Sequence, residues 1–465
     1  MEARDLQFVI SACGGTLAMG AGEVVVTRVI TDSRQAQAGD LFFALRGEKF
    51  DGRDFLEEVA RKGAAVVVSE RQWQPPTSSP CAVVVVDDTR RALGRLATEY
   101  RKGFELPVVA VAGSNGKTTT KDLIAAVLGQ KLLALRSAAS FNNDIGVPLT
   151  LLQLEQTHEA AVLEIGTNHP GELASLVKMS QPRMGVITNI GREHLEFFGD
   201  LAGVAEEEGR LAELLPTDGK LFLNGDNEWT GRLAERTPAG VVRVGFSEHN
   251  QWRARSARLD KQGVTFRVET PHAEYDGEYR IRLLGRHQVL NALFALALGA
   301  EFGLNRAEIE RGLAECEPAK MRLQLWELNG VRVLDDAYNA NADSMLAALQ
   351  LLKELPCKGR RVAVLGDMAE LGAHRVAAHA EAGRVAAELG VGQLFVVGEM
   401  AGVTGQAARD AGLTRVIELA DVDSAAAALK TFLKASDVVL LKASRAARFE
   451  RISDALRGGE AGKRI

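Results

Sequence analysis

The sequence has few cysteines, few aromatic residues and no long apolar run. Its 4 cysteines, at positions 13, 81, 316 and 357, lie too far apart for a C-x-x-C pair. This spacing argues against a zinc knuckle or a disulfide framework and indicates buried thiols in a reducing compartment. No apolar run reaches the roughly 18 residues that a membrane-spanning helix needs. The first residues carry acidic charge and are unlike a signal peptide, so we expect a cytoplasmic protein with no membrane span.

The sequence also lacks a surplus of charge of one sign. Its 56 lysines and arginines face 61 aspartates and glutamates, for a net charge of −5. A strongly basic surface for nucleic acid is therefore not expected. Apolar residues make up 46% and charged residues 25%, as in globular proteins. The low aromatic content, 5%, together with 46 glycines favours an α/β fold with many tight turns between strands and helices.

The length of 465 residues predicts about three domains at roughly 150 residues each. Short apolar runs and a helix over 54–62 predict a small N-terminal α/β domain over 1–104, with a loop at 74–80. A continuous apolar strand at 107–112, typical of a strand buried on both faces of a parallel sheet, begins a central domain with a mainly parallel sheet, over 105–317. Strict alternation of strands and helices then predicts a C-terminal Rossmann-like domain over 318–465.

A glycine-rich loop with a lysine follows the strand at 107–112. Its glycines let backbone N–H groups surround phosphate oxygens, Lys117 can reach the β- and γ-phosphates, and the Thr118 hydroxyl can bind Mg²⁺. The spacing is not that of the standard Walker motif, because Val111 stands five residues before Gly116. A chance glycine turn is the alternative, but strand, loop and helix all agree with a nucleotide site. The predicted ATP-binding residues of the loop are Gly113, Ser114, Asn115, Gly116, Lys117, Thr118 and Thr119.

Two further polar residues follow predicted strands of the same sheet. Glu164 ends the predicted strand 160–165, and His194 comes four residues after the predicted strand 185–190. In a parallel sheet, ligand sites lie outside the carboxyl ends of the strands, so a carboxylate there can bind a metal held by phosphates. Either residue alone is more often a surface residue or a satisfied core residue. Their matching positions beside a phosphate loop favour function.

These residues belong to a series of motifs that resembles the Mur ligases of peptidoglycan synthesis. The loop Gly-Ser-Asn-Gly-Lys-Thr-Thr and the segment Asn-Ile-Gly-Arg-Glu-His are two of them. Ordered matches run from the first domain, at 31–34 and 47–52, to 441–445 near the end. The remaining matching segments are 141–150, 164–168, 285–291, 335–341 and 366–372.

The resemblance implies an ATP-dependent amide ligase that works through an acyl-phosphate intermediate and needs ATP and Mg²⁺. It implies an N-terminal domain that holds the UDP-sugar, a central ATPase and a C-terminal domain that admits the incoming amino component. Within the family, the motifs are most similar to those of the member that joins D-alanyl-D-alanine to UDP-N-acetylmuramoyl-tripeptide. We expect those two substrates as partners, no nucleic acid, and a monomer.

The resemblance also implies roles for single residues. Lys117, His194 and Glu164 are the catalytic residues, and Thr118, Glu164 and His194 lie in the Mg²⁺ shells. The residues implied to contact the nucleotide outside the loop are Asn291, Arg322, Asp336, Tyr338 and Asn339. The residues implied to face the UDP-muramoyl-peptide are Ser33, Arg34, Asn142 and Asn143.

One departure from the family concerns the metal site. Mur ligases usually have a lysine, carbamoylated by CO2, at the position that Glu208 occupies in the stretch 204–209. A carbamate on lysine is a carboxylate on a long arm, so Glu208 could hold the second Mg²⁺ without CO2 but from a shorter stem. The backbone would then approach, a water would bridge, or the metal would bind more weakly. The alternative is that Glu208 belongs to a solvated acidic helix face.

Other functions are weighed against this interpretation. The ligase that adds the third amino acid carries an Asp-Asn-Pro-Arg sequence that is absent here, and folylpolyglutamate synthase poorly explains the first hundred residues. A nucleotide switch would need Asn-Lys-x-Asp, which does not occur. Loss of Lys117 or Glu164 would favour a silent binding protein, but both residues are present, and a plain kinase gives no reason for a third domain. The sequence leaves open the third residue of the peptide, the base for the amine, domain closure and the oligomeric state.

Overall fold

The computed structural model describes residues 1–20, 23–47, 50–70, 81–458 and 463–464. Within these ranges the chain forms three sheets of five or more strands, one in each predicted domain. The predicted α/β class is confirmed. The predicted loop at 74–80 and two residues of the 47–52 motif lie outside the described residues.

The N-terminal domain contains a five-stranded sheet. Strands β4 to β7 run parallel, β2 joins β7 in antiparallel fashion, and β1 and β3 form a separate pair. The strands are β1 (Arg4–Asp5), β2 (Thr16–Met19), β3 (Val25–Val26), β4 (Val29–Ile30), β5 (Leu41–Phe43), β6 (Val66–Glu70) and β7 (Ala82–Val86). The helices are α1 (Leu6–Cys13), α2 (Leu56–Arg61) and α3 (Thr89–Arg101).

The central domain is built on a nine-stranded sheet in the order β16-β15-β14-β13-β12-β11-β8-β10-β9. All pairings are parallel except those of β15 with β14 and β16, which form an antiparallel edge. The strands are β8 (Val108–Ala112), β9 (Ala134–Arg136), β10 (Ala160–Glu164), β11 (Met184–Ile187), β12 (Lys220–Asn224), β13 (Gly240–Gly245), β14 (Trp252–Asp260), β15 (Gly263–Glu269) and β16 (Gly277–Ile281). The helices are α4 (Lys117–Leu128), α5 (Gly146–Leu151), α6 (Glu172–Ser180), α7 (Leu195–Phe198), α8 (Leu201–Glu213), α9 (Thr230–Arg236), α10 (His287–Glu301) and α11 (Arg306–Glu315).

The C-terminal domain has a sheet in the order β21-β20-β19-β22-β18-β17-β23. Five strands are parallel, and β17 and β23 add an antiparallel edge that the strand–helix alternation did not predict. The strands are β17 (Gln324–Leu328), β18 (Val331–Asp335), β19 (Arg361–Gly366), β20 (Gln393–Val397), β21 (Val416–Leu419), β22 (Val438–Lys442) and β23 (Lys463–Arg464). The helices are α12 (Ala342–Glu354), α13 (Arg375–Glu388), α14 (Ala401–Asp410), α15 (Val422–Phe432) and α16 (Glu450–Arg457).

The strand before His194 is shorter than predicted. Strand β11 ends at Ile187 rather than at Ile190, because Asn189 leaves the ladder. Its carbonyl instead accepts the N–H of Ser114 at 2.9 Å. Leaving the sheet early gives the chain room to turn toward the phosphate loop.

Helix α3 joins the N-terminal domain to the central one. Its apolar side chains share a core cluster with residues of both domains. The hydroxyl of the buried Tyr100 accepts the N–H of Glu2 at 2.7 Å and donates to the carbonyl of Leu154 at 2.6 Å. The first two domains are therefore packed against each other through a satisfied buried hydroxyl.

Two expectations from composition concern thiols and membranes. Three of the four cysteines are buried, the fourth is partly buried, and the described residues form no disulfide. Burial raises the pKa of the Cys13 and Cys316 thiols to about 12, which keeps them protonated and unreactive. In the described ranges, no helix combines the length and the apolar character that crossing a bilayer requires.

We expect Tyr100→Phe to lower the unfolding free energy of the first two domains, which Tyr100 links. Removing the hydroxyl leaves the Glu2 N–H and the Leu154 carbonyl without their buried partner, which costs about 1–3 kcal/mol of unfolding free energy. Denaturant unfolding of the full chain measures this loss. Tyr275→Phe is the matched control, because its hydroxyl also donates to a carbonyl, that of Leu304 at 2.9 Å, but from a less buried site. Equal losses in the two variants would contradict the bridging role of Tyr100.

Candidate active site

The predicted nucleotide site lies where three neighbouring parallel strands end. Strand β8 lies between β10 and β11, so the ends of these three strands meet at one edge of the central sheet. A loop over 113–116 leads from β8 directly into helix α4. The first turn of a helix presents N–H groups without intrahelical partners and carries positive potential, which suits a phosphate.

Two glycines give the loop its shape. Gly113 has a φ of +106°, and a Cβ there would lie 2.4 Å from Oγ1 of Thr188. Gly116 has a φ of +86°, and a Cβ there would lie 2.7 Å from Oδ1 of Asn291. Both positions therefore require glycine for conformation and for space. The second contact also places Asn291, a predicted nucleotide residue on α10, directly against the loop.

The segment after β11 holds the loop from the other side. Asn189 accepts the N–H of Ser114 with its carbonyl at 2.9 Å and the N–H of Asn115 with Oδ1 at 2.8 Å. Oγ of Ser114 accepts the N–H of Gly191 at 2.9 Å. Hydrogen bonds from the protein itself therefore fix the conformation of the loop.

Lys117 is a partly buried cation with three carboxyl groups near it. Its Nζ donates to the carbonyl of Gly113 at 2.6 Å and lies 3.2 Å from Oε2 of Glu193. Burial by itself lowers the pKa of Lys117, but Glu193, Glu208 and Glu164 together raise it above its ordinary value. The surroundings therefore favour the charged lysine, whose Nζ lies between the loop backbone and Glu193.

Three consecutive glutamates on α8 have three different environments. Glu206 is exposed and pairs with Arg210 at 2.8 Å. Glu207 accepts the N–H groups of Gly171 and Leu173, both at 2.8 Å, and so caps helix α6. Glu208 is only 1% exposed, and its Oε2 accepts the N–H of Gly113. Of the three, Glu208 alone faces the phosphate loop, and it is not part of a solvated face.

Burial first, and neighbouring Glu193 second, raise the pKa of the Glu208 carboxyl to about 8, against the opposing effects of Lys117 and the Gly113 N–H. Two carboxylates close together in a dry site disfavour simultaneous ionisation. Burial next to Glu193 therefore favours the protonated form of the Glu208 carboxyl in the protein without ligand.

The oxygens predicted to bind Mg²⁺ fit such an ion. Oγ1 of Thr118, Oε2 of Glu164 and Oε1 of Glu208 are all buried without a hydrogen-bond partner. Hydroxyl and carboxylate oxygens are ligands that Mg²⁺ prefers. Among the described residues, no group of three His, Cys, Asp or Glu side chains could hold a metal unaided. Mg²⁺ commonly binds through one or two carboxylates plus substrate phosphates, so this donor set suits a metal that arrives with the nucleotide.

Glu164 is oriented by a predicted substrate residue. Nδ2 of Asn142 donates to Oε1 of Glu164 at 2.9 Å, and Nζ of Lys121 lies 3.9 Å from Oε2. The adjacent Asn143 turns the other way, and its Oδ1 accepts the N–H of Gly146 at 2.9 Å at the start of α5. Asn142 therefore orients the carboxylate of Glu164, whereas Asn143 caps helix α5.

His194 lies between the central and C-terminal domains. Its Nδ1 is 2.5 Å from Oε2 of Glu370, which belongs to the C-terminal domain, and its Nε2 is 3.8 Å from Oε2 of Glu193. The hydrogen bond to His194 lowers the pKa of Glu370 below its ordinary value despite burial. The imidazole therefore has one nitrogen on each side of the domain boundary.

The remaining nucleotide residues predicted in the C-terminal domain lie near one another, and Arg322 contacts the central domain at Ser140. The guanidinium of Arg322 lies 4.2 Å from the ring centroid of Tyr338 and donates to Oγ of Ser140 at 3.2 Å. Oδ2 of Asp336 accepts from Nζ of the buried Lys442 at 2.5 Å. The same Nζ donates to the carbonyl of Asn339 at 3.1 Å.

The predicted substrate residues of the N-terminal domain lie elsewhere. Ser33 is buried at the start of a short 3₁₀ turn, and its carbonyl accepts from Lys62 at 3.0 Å. Arg34 has an exposed side chain that pairs with Asp32 at 2.7 Å. Within the described chain, neither residue has a hydrogen bond or ion pair to the phosphate loop.

Sequence reasoning missed three residues that the structure brings into the site. Glu193 adjoins Lys117 and Glu208, and Glu370 adjoins His194. Arg192 crosses to the C-terminal domain, where it binds Asp343 at 2.7 Å and Glu381 at 2.6 Å. The signal was available for all three residues, because each lies inside a matched motif. Only the fold shows which partner each of them meets.

The fold and site define an ATP-using enzyme whose nucleotide site is covered by a second α/β domain. Family models agree: "Mur ligase family, catalytic domain" matches residues 25–101, "Mur ligase middle domain" 111–299, and "Mur ligase, glutamate ligase domain" 321–445. The chain belongs to the Mur ligase family, as its motifs predicted.

Particular relatives are similar over almost the whole chain. The UDP-N-acetylmuramoyl-tripeptide–D-alanyl-D-alanine ligase of Bacillus subtilis is 34% identical over 97% of this chain and 98% of its own length. A crystal structure of MurF from Acinetobacter baumannii has a TM-score of 0.88 and 31% identity, covering 98% of this chain and 99% of that one. MurF from Thermotoga maritima, in complex with ADP, has a TM-score of 0.80 and 26% identity, covering 93% and 97%.

We expect the buried carboxyl of Glu208 to make the stability of the ligand-free protein pH-dependent. A folded-state pKa of about 8, against an ordinary value of 4.5, stabilises the fold at low pH, and this stabilisation is lost as pH rises through about 8. Glu208→Gln mimics the protonated carboxyl. The melting temperature of this variant, relative to that of the wild type, should therefore rise as pH increases. Thermal melts across this pH range measure the difference. Glu206→Gln, on the exposed face, is the control, and an identical pH trend in Glu208→Gln and wild type would contradict the assignment.

Proposed function

We propose that this protein uses ATP to join D-alanyl-D-alanine to the terminal carboxylate of UDP-N-acetylmuramoyl-tripeptide, a step of peptidoglycan precursor synthesis. The observation that carries the proposal is the partly buried Lys117 among carboxyl groups at the phosphate loop, together with the contacts that the C-terminal domain makes to this site through Glu370 and Asn341. Support comes from relatives that bear this activity in their names and match the chain over nearly its full length.

The chemistry follows from what amide formation requires. The tripeptide carboxylate attacks the γ-phosphorus of ATP, which forms an acyl phosphate and releases ADP. The neutral amine of the dipeptide then attacks the acyl carbon, and inorganic phosphate leaves with one oxygen of the original carboxylate. Both steps shift negative charge among oxygens, so Lys117 and the first turn of α4 act by positioning and electrostatics.

In this proposal Thr118, Glu164, His194 and Glu208 hold Mg²⁺, which neutralises phosphate charge when it is bound. Glu208 takes the place of the carbamoylated lysine of the family. Its shorter stem suffices because α8 passes close enough for the carboxylate to accept the Gly113 N–H at 2.7 Å. The carboxyl must lose its proton to bind the metal, so metal binding and deprotonation of Glu208 are coupled.

We assign one task to each domain. Residues 1–104 hold the UDP-sugar, with Ser33 and Arg34 facing it. Residues 105–317 bind ATP and, through Asn142 and Asn143, the peptide end of the sugar nucleotide. Residues 318–465 bring in the dipeptide and contribute nucleotide contacts, by resemblance from Arg322, Asp336, Tyr338 and Asn339, in addition to Asn291 of the central domain. We further propose that the protein acts in the cytoplasm as a monomer.

We expect Lys117→Ala to abolish ADP release in the presence of both substrates, because no other described cation occupies the mouth of the loop. Lys131→Ala, beyond the end of α4, removes a lysine that only donates to the carbonyl of Gly303 and should keep normal turnover. A coupled assay for ADP measures both. Near-normal turnover of Lys117→Ala would end the proposal for this site.

A substrate panel separates this function from its alternatives. UDP-muramoyl-tripeptides with diaminopimelate or with lysine as the third residue are each combined with D-alanyl-D-alanine and with single amino acids. We expect ADP release only with the dipeptide. Release with a single amino acid would identify a different ligase of the family, and ATP binding without substrate-dependent hydrolysis would indicate a silent binding protein.

We expect Glu208→Gln to raise the Mg²⁺ concentration for half-maximal rate by at least about tenfold, because an amide cannot supply the negative charge that the metal needs. Removing CO2 and bicarbonate should leave the wild-type rate unchanged, since no carbamate is required. Titration of Mg²⁺ in the ADP assay measures the first effect, with Glu206→Gln as the control. An unchanged Mg²⁺ requirement in Glu208→Gln would show that this carboxylate does not bind the metal.

A further inference from the structure

A carboxylate from the C-terminal domain contacts the histidine of the central domain's active site. Oε2 of Glu370 lies 2.5 Å from Nδ1 of His194. Glu370 is part of the loop between β19 and α13, whereas His194 directly precedes α7. The contact therefore exists only when the two domains are together.

The backbone supports this contact on both sides. His194 has a φ of 47° and Glu370 a φ of 59°. Both values lie in the left-handed region that residues other than glycine rarely adopt. The N–H of Glu196 donates to the carbonyl of Glu370 at 3.1 Å. Nε2 of His374 lies 3.0 Å from the carbonyl of Gly199. These bonds hold the two turns together, which balances the conformational cost at His194 and Glu370.

The contact determines which nitrogen of His194 carries the proton. A carboxylate accepts hydrogen bonds, so Nδ1 must be the donor, and in a neutral ring Nε2 then presents its lone pair. Nε2 lies on the side of Glu193, whose other neighbours are Lys117 and Glu208. The lone pair is thus directed into the phosphate and metal site.

We propose that Glu370 is a positioning residue for His194: it selects the Nδ1–H tautomer and completes the site only when the C-terminal domain is docked. The inference rests on the proposed function for its catalytic meaning. The tautomer itself is a property of the free protein. It can therefore be tested whether or not the substrate assignment holds.

Nitrogen-15 NMR of histidine-labelled full-length protein tests the tautomer. The chain has 8 histidines, and His194→Gln assigns the signal of interest by its loss. We expect His194 to be Nδ1–H in the wild type and to shift toward Nε2–H in Glu370→Ala. Glu370→Gln should keep Nδ1–H, because the amide oxygen still accepts the bond. A wild-type ring that is Nε2–H or doubly protonated would overturn the proposal.

A matched control separates positioning from domain docking. Glu381→Ala removes another bond across the same domain boundary, to Arg192 at 2.6 Å, without contacting His194. We expect its His194 signal to be unchanged, and an equal tautomer shift in this variant would overturn the positioning role.

Turnover gives a second, independent readout. Glu370→Ala should lose about 10- to 100-fold in kcat, as is typical for residues that orient a ligand side chain. The KM for ATP should change far less, and Glu370→Gln should recover most of the loss. Unchanged kcat in Glu370→Ala would contradict a positioning role. If the wild type gives no dipeptide-dependent ADP release at all, the proposed function fails, while the NMR comparison still decides the tautomer.

Discussion

One partly buried cation, Lys117, organises the active site of this protein. Its Nζ lies 3.2 Å from a carboxylate oxygen of Glu193, and the neighbouring Glu208 and Glu164 also raise its pKa. A buried lysine needs such partners, because desolvation strongly disfavours its charge. The excess of carboxyl groups over cations at this point is what the proposed Mg²⁺ site requires, and in the same proposal Lys117 binds the phosphates of the nucleotide.

The sheet topology makes this grouping possible. Because β8 lies between β10 and β11, the phosphate loop, Glu164 and the segment of Asn189 to His194 meet at one edge. Helix α8 then brings Glu208 to the back of the loop. The C-terminal domain completes the site through Glu370 and through Asn341, whose Nδ2 donates to Oδ1 of Asn115 at 3.0 Å. Each domain boundary is thus bridged by polar contacts that depend on the neighbouring domain.

Much of this could be predicted from the sequence, and the exceptions have physical causes. The buried strand β8, the loop glycines and Lys117 are local patterns, and the structure shows them as predicted. The early end of β11 was not predictable, because Ile190 continues the apolar pattern while Asn189 bonds to a loop about 75 residues away in sequence. The sequence does not show which of the three consecutive glutamates on α8 faces the loop, because this depends on the rotation of the helix about its axis. Glu370 meets His194 only after two domains pack, a contact that no local pattern encodes.

The most direct test of the account follows oxygen through the reaction. UDP-N-acetylmuramoyl-tripeptide labelled with oxygen-18 in its terminal carboxylate is turned over with ATP and D-alanyl-D-alanine, and the inorganic phosphate is analysed by mass spectrometry. If the Lys117 site activates the carboxylate as an acyl phosphate, each phosphate released carries one labelled oxygen. Phosphate without label, formed together with the amide product, would contradict the account.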